Sequence, residues 1–355
     1  MEPVTHFLFG AAMGRAGLNR KTALATATLT LGAEAADLDV LSRFGGSAFG
    51  LNHHRGFTHS FFGVPLVAAV VVGFVYVLWR LRGRKTQNPN LPPRWGLLFG
   101  YACLAGLSHI LLDFTNNYGV RPFWPVSERW VSWDIVFIVE PVLLVALTLG
   151  LILPGLFSLI NEEIGVRTDA RVPKGRLGAI LALLAVFACW GVRDYEHRRA
   201  LAALQSRNYQ GADAIRASAY PYWVNPFRWY GVVETPAFFA TMDVDSLNFN
   251  SMSPEVDPEA QMRIHYKPEE TPVTLAAKKS YLGRVYLSWA QYPITDTEIL
   301  DNKPVGNRRA AYAVHFRDLR YDYPGRRGRV ALGAVVLLTS DLQVIEERFG
   351  VGTGD

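Results

Sequence analysis

Apolar residues gather in long unbroken runs before residue 195 and in short, interrupted runs after it. Residues 61–79 carry no charged side chain across 19 positions. At a rise of about 1.5 Å per residue, a helix of that length nearly matches a hydrocarbon core. Residues 95–112, 141–160 and 177–192 repeat the pattern, the last bounded by Arg176 and Arg193. These runs predict four membrane-spanning helices. Two shorter apolar stretches, 7–14 and 22–36, flank a polar tip with Arg15, Asn19, Arg20 and Lys21. The first is too short to span, so the pair predicts a helical hairpin that dips into the bilayer and returns. Thr5 and His6 stand where a secretory signal carries basic residues, so no cleaved leader is expected.

After residue 195 the pattern changes. Residues 194–207 are charged and helix-compatible, and 220–236 are rich in Trp, Tyr and Pro. Runs enriched in Val, Tyr, Phe and Trp at 228–241, 260–267, 281–292, 309–321 and 329–339 read as strands. Five strands are too few for a closed outer-membrane barrel. The predicted fold is an α-helical multi-span membrane domain, hairpin plus four spans, over residues 1–195. A smaller α+β, mostly antiparallel-sheet soluble domain follows over residues 196–355.

Composition narrows the class. Of 355 residues, 50% are hydrophobic and 19% charged, which excludes a disordered chain, a coiled coil and a collagen-like fibre. Cys103 and Cys189 both lie inside apolar runs and support neither a disulfide framework nor a cysteine zinc site. The net charge of +5 does not imply nucleic acid here, because basic residues in a membrane protein first report topology. Loop 80–94 carries Arg80, Arg82, Arg84, Lys85 and Arg94 without an acid, and loop 161–176 carries Arg167, Arg171, Lys174 and Arg176. Both are expected in the cytoplasm. Loop 113–133, with Trp124, Trp130 and Trp133, suits the outer interface. Segment 37–60, the end of the second span at 109–113 and everything after 195 then fall outside. Trp223, Trp229 and Tyr230 are expected at the membrane surface.

Five of the eight histidines fall before residue 110, all at expected outer-side positions: His6, His53, His54, His59 and His109. His109 and Asp113 share a helix face at i, i+4. A lone histidine there would simply bond a carbonyl, but imidazole plus carboxylate one turn apart is a two-point ligand for a divalent cation, and ionisable groups at membrane depth are functional candidates. Asp37 and Asp39 follow an apolar helix, where negative charge opposes the macrodipole unless a cation is near. Glu34 lies one turn earlier, behind them. In His53-His54-Arg55-Gly56-Phe57-Thr58-His59-Ser60, a metal would hold the imidazoles neutral, Gly56 allows the turn, and Arg55 offers a planar fork for a phosphate or carboxylate. Adjacent side chains on an extended chain point oppositely, so one of His53 and His54 faces away. His6, Asp37, Asp39, His54, His59, His109 and Asp113 are therefore expected to converge as metal ligands.

Thr5-His6, Asp37-Leu38-Asp39, the 53–60 string and Ser108-His109-Ile110-Leu111-Leu112-Asp113 together resemble the YdjM-type family. The resemblance covers about residues 1–195. One departure is Ala36, where the family usually has proline. The resemblance implies a bacterial or archaeal inner-membrane protein, metal binding and hydrolysis, and leaves the substrate open. The His-x-x-x-Asp step is also similar to zinc-dependent phospholipase C. The reaction expected is attack of a metal-activated water on an ester or phosphoester, with a lipid or lipid-linked head group the natural substrate for a site at the membrane face. Zinc is the first candidate, with room for two ions. Asp39 is the expected proton acceptor and Arg55 the oxyanion partner, with Asn116, Asn117 and Tyr118 either orienting substrate or merely forming a turn. A non-catalytic metal-binding protein, a sensor or scaffold, is the alternative. A transporter fits less well, because Glu140 is the main acid within a span.

Overall fold

The computed structural model describes residues 1–86, 88, 90–163, 175–247, 262–324 and 332–350. The chain forms two compact units. One comprises Met1–Asp39, Arg55–Tyr195 and Trp223–Pro226; the other comprises Val40–His54, Glu196–Tyr222 and Phe227–Asp355.

In the first unit, α1 (Pro3–Arg15) and α2 (Ala25–Glu34) pack closely. A Cβ at Gly10 would stand 2.7 Å from Leu29 O, and one at Gly14 2.7 Å from Thr26 Oγ1. Only glycine permits this approach. After α3 (Ser47–His53), which belongs to the second unit, come α4 (Gly63–Leu81), α5 (Trp95–Thr115), α6 (Pro141–Glu163) and α7 (Arg176–Gln205). These last four are long and apolar enough to cross a membrane. Each matches one of the apolar runs. Leu66, Val70, Phe74 and Val77 leave an exposed apolar stripe along α4, which a bilayer covers and water would not tolerate. Leu143, Leu147 and Leu151 of α6 pack with Ala179, Ala182 and Val186 of α7, at helical spacing. The same core takes Phe9 and Ala12 from α1. Leu29 and Ala33 of α2 meet Leu98 and Ala105 of α5. Buried Arg193 of α7 pairs with Glu140 at 2.8 Å, just before α6. The apolar run 177–192 and the charged segment after it form one 30-residue helix rather than two elements. Residues 164–174 of the basic loop 161–176 lie outside the described residues.

The second unit holds two four-stranded antiparallel sheets. The first runs β1 (Arg216–Pro221), β2 (Arg228–Glu234), β3 (Phe238–Asp245), β4 (Arg263–Tyr266) in sequence order. Trp229, Val233, Phe238 and Val244 bury one face against Ala200, Ala203 and Leu204 of α7. Trp229 and Tyr230 are therefore core residues, not interfacial anchors, whereas Trp223 is half exposed. Two helices follow, α8 (Pro272–Lys279) and α9 (Tyr281–Trp289). Then β5 (Pro293–Val305), β6 (Arg308–Asp318), β7 (Ala334–Leu338) and β8 (Val344–Phe349) form the second sheet in order.

The strand expected at 281–292 is thus a helix. Ser280 caps it by accepting from Gly283 N, and it buries Leu282, Val285, Tyr286 and Trp289 at helical spacing. Aromatic and β-branched composition pointed to a strand, while the spacing of the buried positions decides for a helix. Strands β1, β5 and β8 and helix α8 were not expected. The runs at 260–267 and 329–339 contain β4 and β7, with 260–261 and 329–331 outside the described residues.

Candidate metal centre

Each polar side chain of the centre is delivered by the end of an element. Helix α1 brings in His6 after Glu2 caps its first turn. The 3-10 stretch Ala35–Gly45 that continues α2 presents Asp37 and Asp39. Arg55 sits in the left-handed region, with φ of 54°, and reverses the chain into the short turn Phe57–His59. Helix α5 supplies His109 and, one turn on, Asp113.

Four of these side chains converge. Ligand atoms of Asp37, His59, His109 and Asp113 all lie within 4.8 Å of one another. His59 Nε2 stands 3.0 Å from His109 Nε2. Asp37 Oδ1 lies 3.4 Å from His59 Nε2 and 3.6 Å from His109 Nε2, and Asp113 Oδ2 lies 3.3 Å and 3.5 Å from the same two atoms. The far ring nitrogens fix the tautomers. His109 Nδ1 is 2.6 Å from Ala33 O, a carbonyl that only accepts, so Nδ1 carries hydrogen and donates. His59 Nδ1 faces Asp39 Oδ2 at 3.1 Å. Neutral rings held this way turn two Nε2 lone pairs toward one point, which is unfavourable unless a cation or proton stands there.

The surrounding polar groups fit a cation. Both nitrogens of wholly buried His6, Asp37 Oδ2 and Asp113 Oδ2 have no hydrogen-bond partner among the described residues. His6 stacks on His109 with ring centroids 3.8 Å apart and places Nε2 3.5 Å from Asp113 Oδ1.

Arg55 is buried inside this network. Its Nη2 pairs with Asp113 Oδ1 at 2.8 Å, its Nη1 donates to Gly119 O at 2.8 Å and to Asn116 Oδ1 at 3.3 Å, and its guanidinium lies 4.6 Å above the Tyr118 ring. The Met1 amino nitrogen also reaches Asp113 Oδ1. Asp39 Oδ2 accepts from Arg55 N at 2.8 Å and Thr58 Oγ1 at 3.0 Å. Asn116 and Tyr118 therefore meet Arg55 directly, beyond forming a turn. The carbonyls of Ala33 and Gly119 complete the set, and backbone groups leave no signature in sequence.

The structure does not bring every expected ligand into the group. His54 is the C-cap residue of α3, donating its backbone N–H to Gly50 O, and it belongs to the second unit. Among the described residues, the group with metal-ligand spacing includes neither His54 nor the expected His6 and Asp39, which border it beside Asp113 and His59. His53 stacks on Phe49 with Nδ1 3.0 Å from Phe49 O. Both residues sit at the end of a helix rather than on an extended chain.

The family model for YdjM inner membrane proteins matches residues 1–200, more than half of the chain, including every motif named above. The chain belongs to the YdjM inner membrane protein family. With four apolar helices of spanning length, it is a membrane protein. It is also similar to an uncharacterized Bacillus subtilis (strain 168) protein, YfhP, at 26% identity over 154 residues, 41% of this chain and 44% of that protein. The chain thus spans less than half the length of that relative. No solved structure matches it.

Proposed function

We propose that the protein is a membrane-bound, metal-dependent hydrolase of an ester or phosphoester, working at the outer face of the inner membrane. The observation that carries this reading is the pair of Nε2 atoms 3.0 Å apart, flanked by Asp37 and Asp113 oxygens at 3.3–3.6 Å. A divalent cation, zinc first, held by these four residues would supply a water acidified toward a pKa of about 7. Asp39 holds the His59 tautomer and stands ready to take a proton. Arg55 holds Asp113 by its outer oxygen, so its role is positioning as well as charge. His6 backs His109 and is the remaining ligand for a second ion. The α1–α2 pair dips into the bilayer from the outer side.

A second reading, a non-catalytic metal-binding protein, is favoured by the number of ligands. Four protein ligands make a closed zinc site, whereas catalytic sites usually keep three and an open position. Asp37 is the ligand on the open side, 17% exposed where the other three are sealed. Under the hydrolase reading it yields that position. Transport is disfavoured because Glu140, the acid expected to serve it, is paired with Arg193.

The test is metal content of the purified protein beside His109→Ala/Asp113→Ala, followed by assays on bis-p-nitrophenyl phosphate and p-nitrophenyl esters. Bound metal with metal-dependent turnover, both lost in the variant, supports the hydrolase. Bound metal without turnover on any ester leaves a binding protein, and no bound metal sinks both readings.

A further inference from the structure

Two loops of the first unit border the centre, through Arg55 and through the Gly119 carbonyl it donates to, and carry exposed apolar side chains. Phe57, Phe61 and Phe62 lie on the loop that also delivers Arg55 and His59, and Phe123 and Val126 lie on the loop after Arg121. The loops are fastened together. Phe61 N donates to Pro122 O at 2.9 Å, Phe61 and Phe123 meet edge to face at 5.5 Å, and Phe57 meets Trp124 in the same way at 5.8 Å. Despite these contacts the rim remains open: Phe57 is 39% exposed, Phe61 46%, Phe62 56%, Phe123 51% and Val126 79%. On the same short turn the polar side chains point inward, with His59 fully buried and Ser60 Oγ donating to Phe57 O. Water-facing loops gain nothing from exposing such large apolar side chains.

The rim is continuous with a surface that already belongs to lipid. Phe62 immediately precedes α4, and the exposed stripe of that span begins one turn on at Leu66. Arg55 and Arg121 are buried on the two rim-bearing loops, and Arg121 lies 4.6 Å over the Trp130 ring. Apolar side chains outside and guanidinium groups within match an amphiphile whose tail stays in the membrane and whose anionic head turns toward protein.

We propose that this rim is immersed in the bilayer and docks a phospholipid laterally, its acyl chains against Phe57, Phe61 and Phe123 and its phosphate directed toward the centre. The inference deepens the hydrolase reading by naming a bilayer-resident phosphoester as the substrate class, and rests on that reading only for turnover.

The immersion is tested in full-length protein reconstituted in phosphatidylethanolamine–phosphatidylglycerol vesicles, with Cys103 and Cys189 replaced by alanine and a nitroxide attached at Val126→Cys. Collisions with oxygen are compared with collisions with a water-soluble nickel chelate. The label at position 126 is expected to prefer oxygen several-fold, like one at Leu66→Cys on α4 and unlike one at Ile299→Cys on the exposed surface of β5. A label at 126 that behaves like the one at 299 overturns the proposal, whether or not the protein hydrolyses anything. Where turnover is found, Phe61→Ser/Phe123→Ser should lose at least tenfold on a long-chain phosphatidyl p-nitrophenol held in vesicles and under twofold on dispersed bis-p-nitrophenyl phosphate. Equal losses on both substrates also overturn it. Absence of turnover with a membrane-immersed label removes the hydrolase reading and leaves the lipid-docking surface standing.

Discussion

Asp39 touches three groups that arrange the centre: the His59 ring, the Thr58 hydroxyl and the Arg55 backbone N–H. Its charge sets which nitrogen of His59 faces Asp37 and Asp113. Asp39→Asn is accordingly expected to weaken metal binding about 10–100-fold while leaving the fold intact, as read by competition with a chromophoric chelator. Wild-type affinity in that variant would show that the His59 tautomer is set elsewhere. Arg55 acts on the opposite oxygen of Asp113. Lysine keeps its charge but cannot hold Asp113, Gly119 O and the Tyr118 face together. Arg55→Lys should retain metal and lose roughly 100-fold in turnover on the best phosphoester found, the scale of a misplacement near 1 Å. Equal turnover would remove Arg55 from the mechanism without touching the ligands.

At the scale of elements, the α1–α2 contact is the least forgiving. Gly10→Val drives a branched side chain into Leu29 O and the Thr30 backbone, with a cost of about 1–3 kcal/mol. Because α1 carries His6 and α2 leads into Asp37, thermal melting in detergent and metal content should fall together; a stable variant with unchanged metal would dissociate them. In the second unit, Trp289 packs on Tyr321 and lies under the buried Arg320 guanidinium. Trp289→Ala should destabilise that unit by about 3–5 kcal/mol in denaturant titrations. The four apolar helices were legible because an uncharged run of such length has almost one physical reading. Helix α9 was not, since Tyr281–Trp289 has strand composition and only the burial of Leu282, Val285, Tyr286 and Trp289 reveals its period. The convergence of His59, His109, Asp37 and Asp113 could be anticipated from residue type and sidedness. The exclusion of His54 could not, because it follows from where α3 ends.

For the molecule as a whole, α6 and α7 pack so that the start of α6 and the end of the apolar part of α7 lie together, joined by Glu140 and Arg193. Under the proposed topology, in which the basic loop 80–94 faces the cytoplasm, the chain after α7 is expected outside. An alkaline phosphatase fused after residue 355 should be active, and a fluorescent protein there dark; the reverse pattern would move the centre to the cytoplasmic face. The centre also draws His6 from the first helix and Asp113 from the end of the fifth, with Asp37 and His59 between. At about 5–20 residues per second, a ribosome needs roughly 5–20 s to make the intervening hundred residues. Throughout that interval His6 and the acids that follow α2 are already at the membrane without their partners. Under the metal-binding reading, capture of an ion therefore belongs to a late moment in biosynthesis, after α5 has been made, and chains truncated before that helix should not retain it.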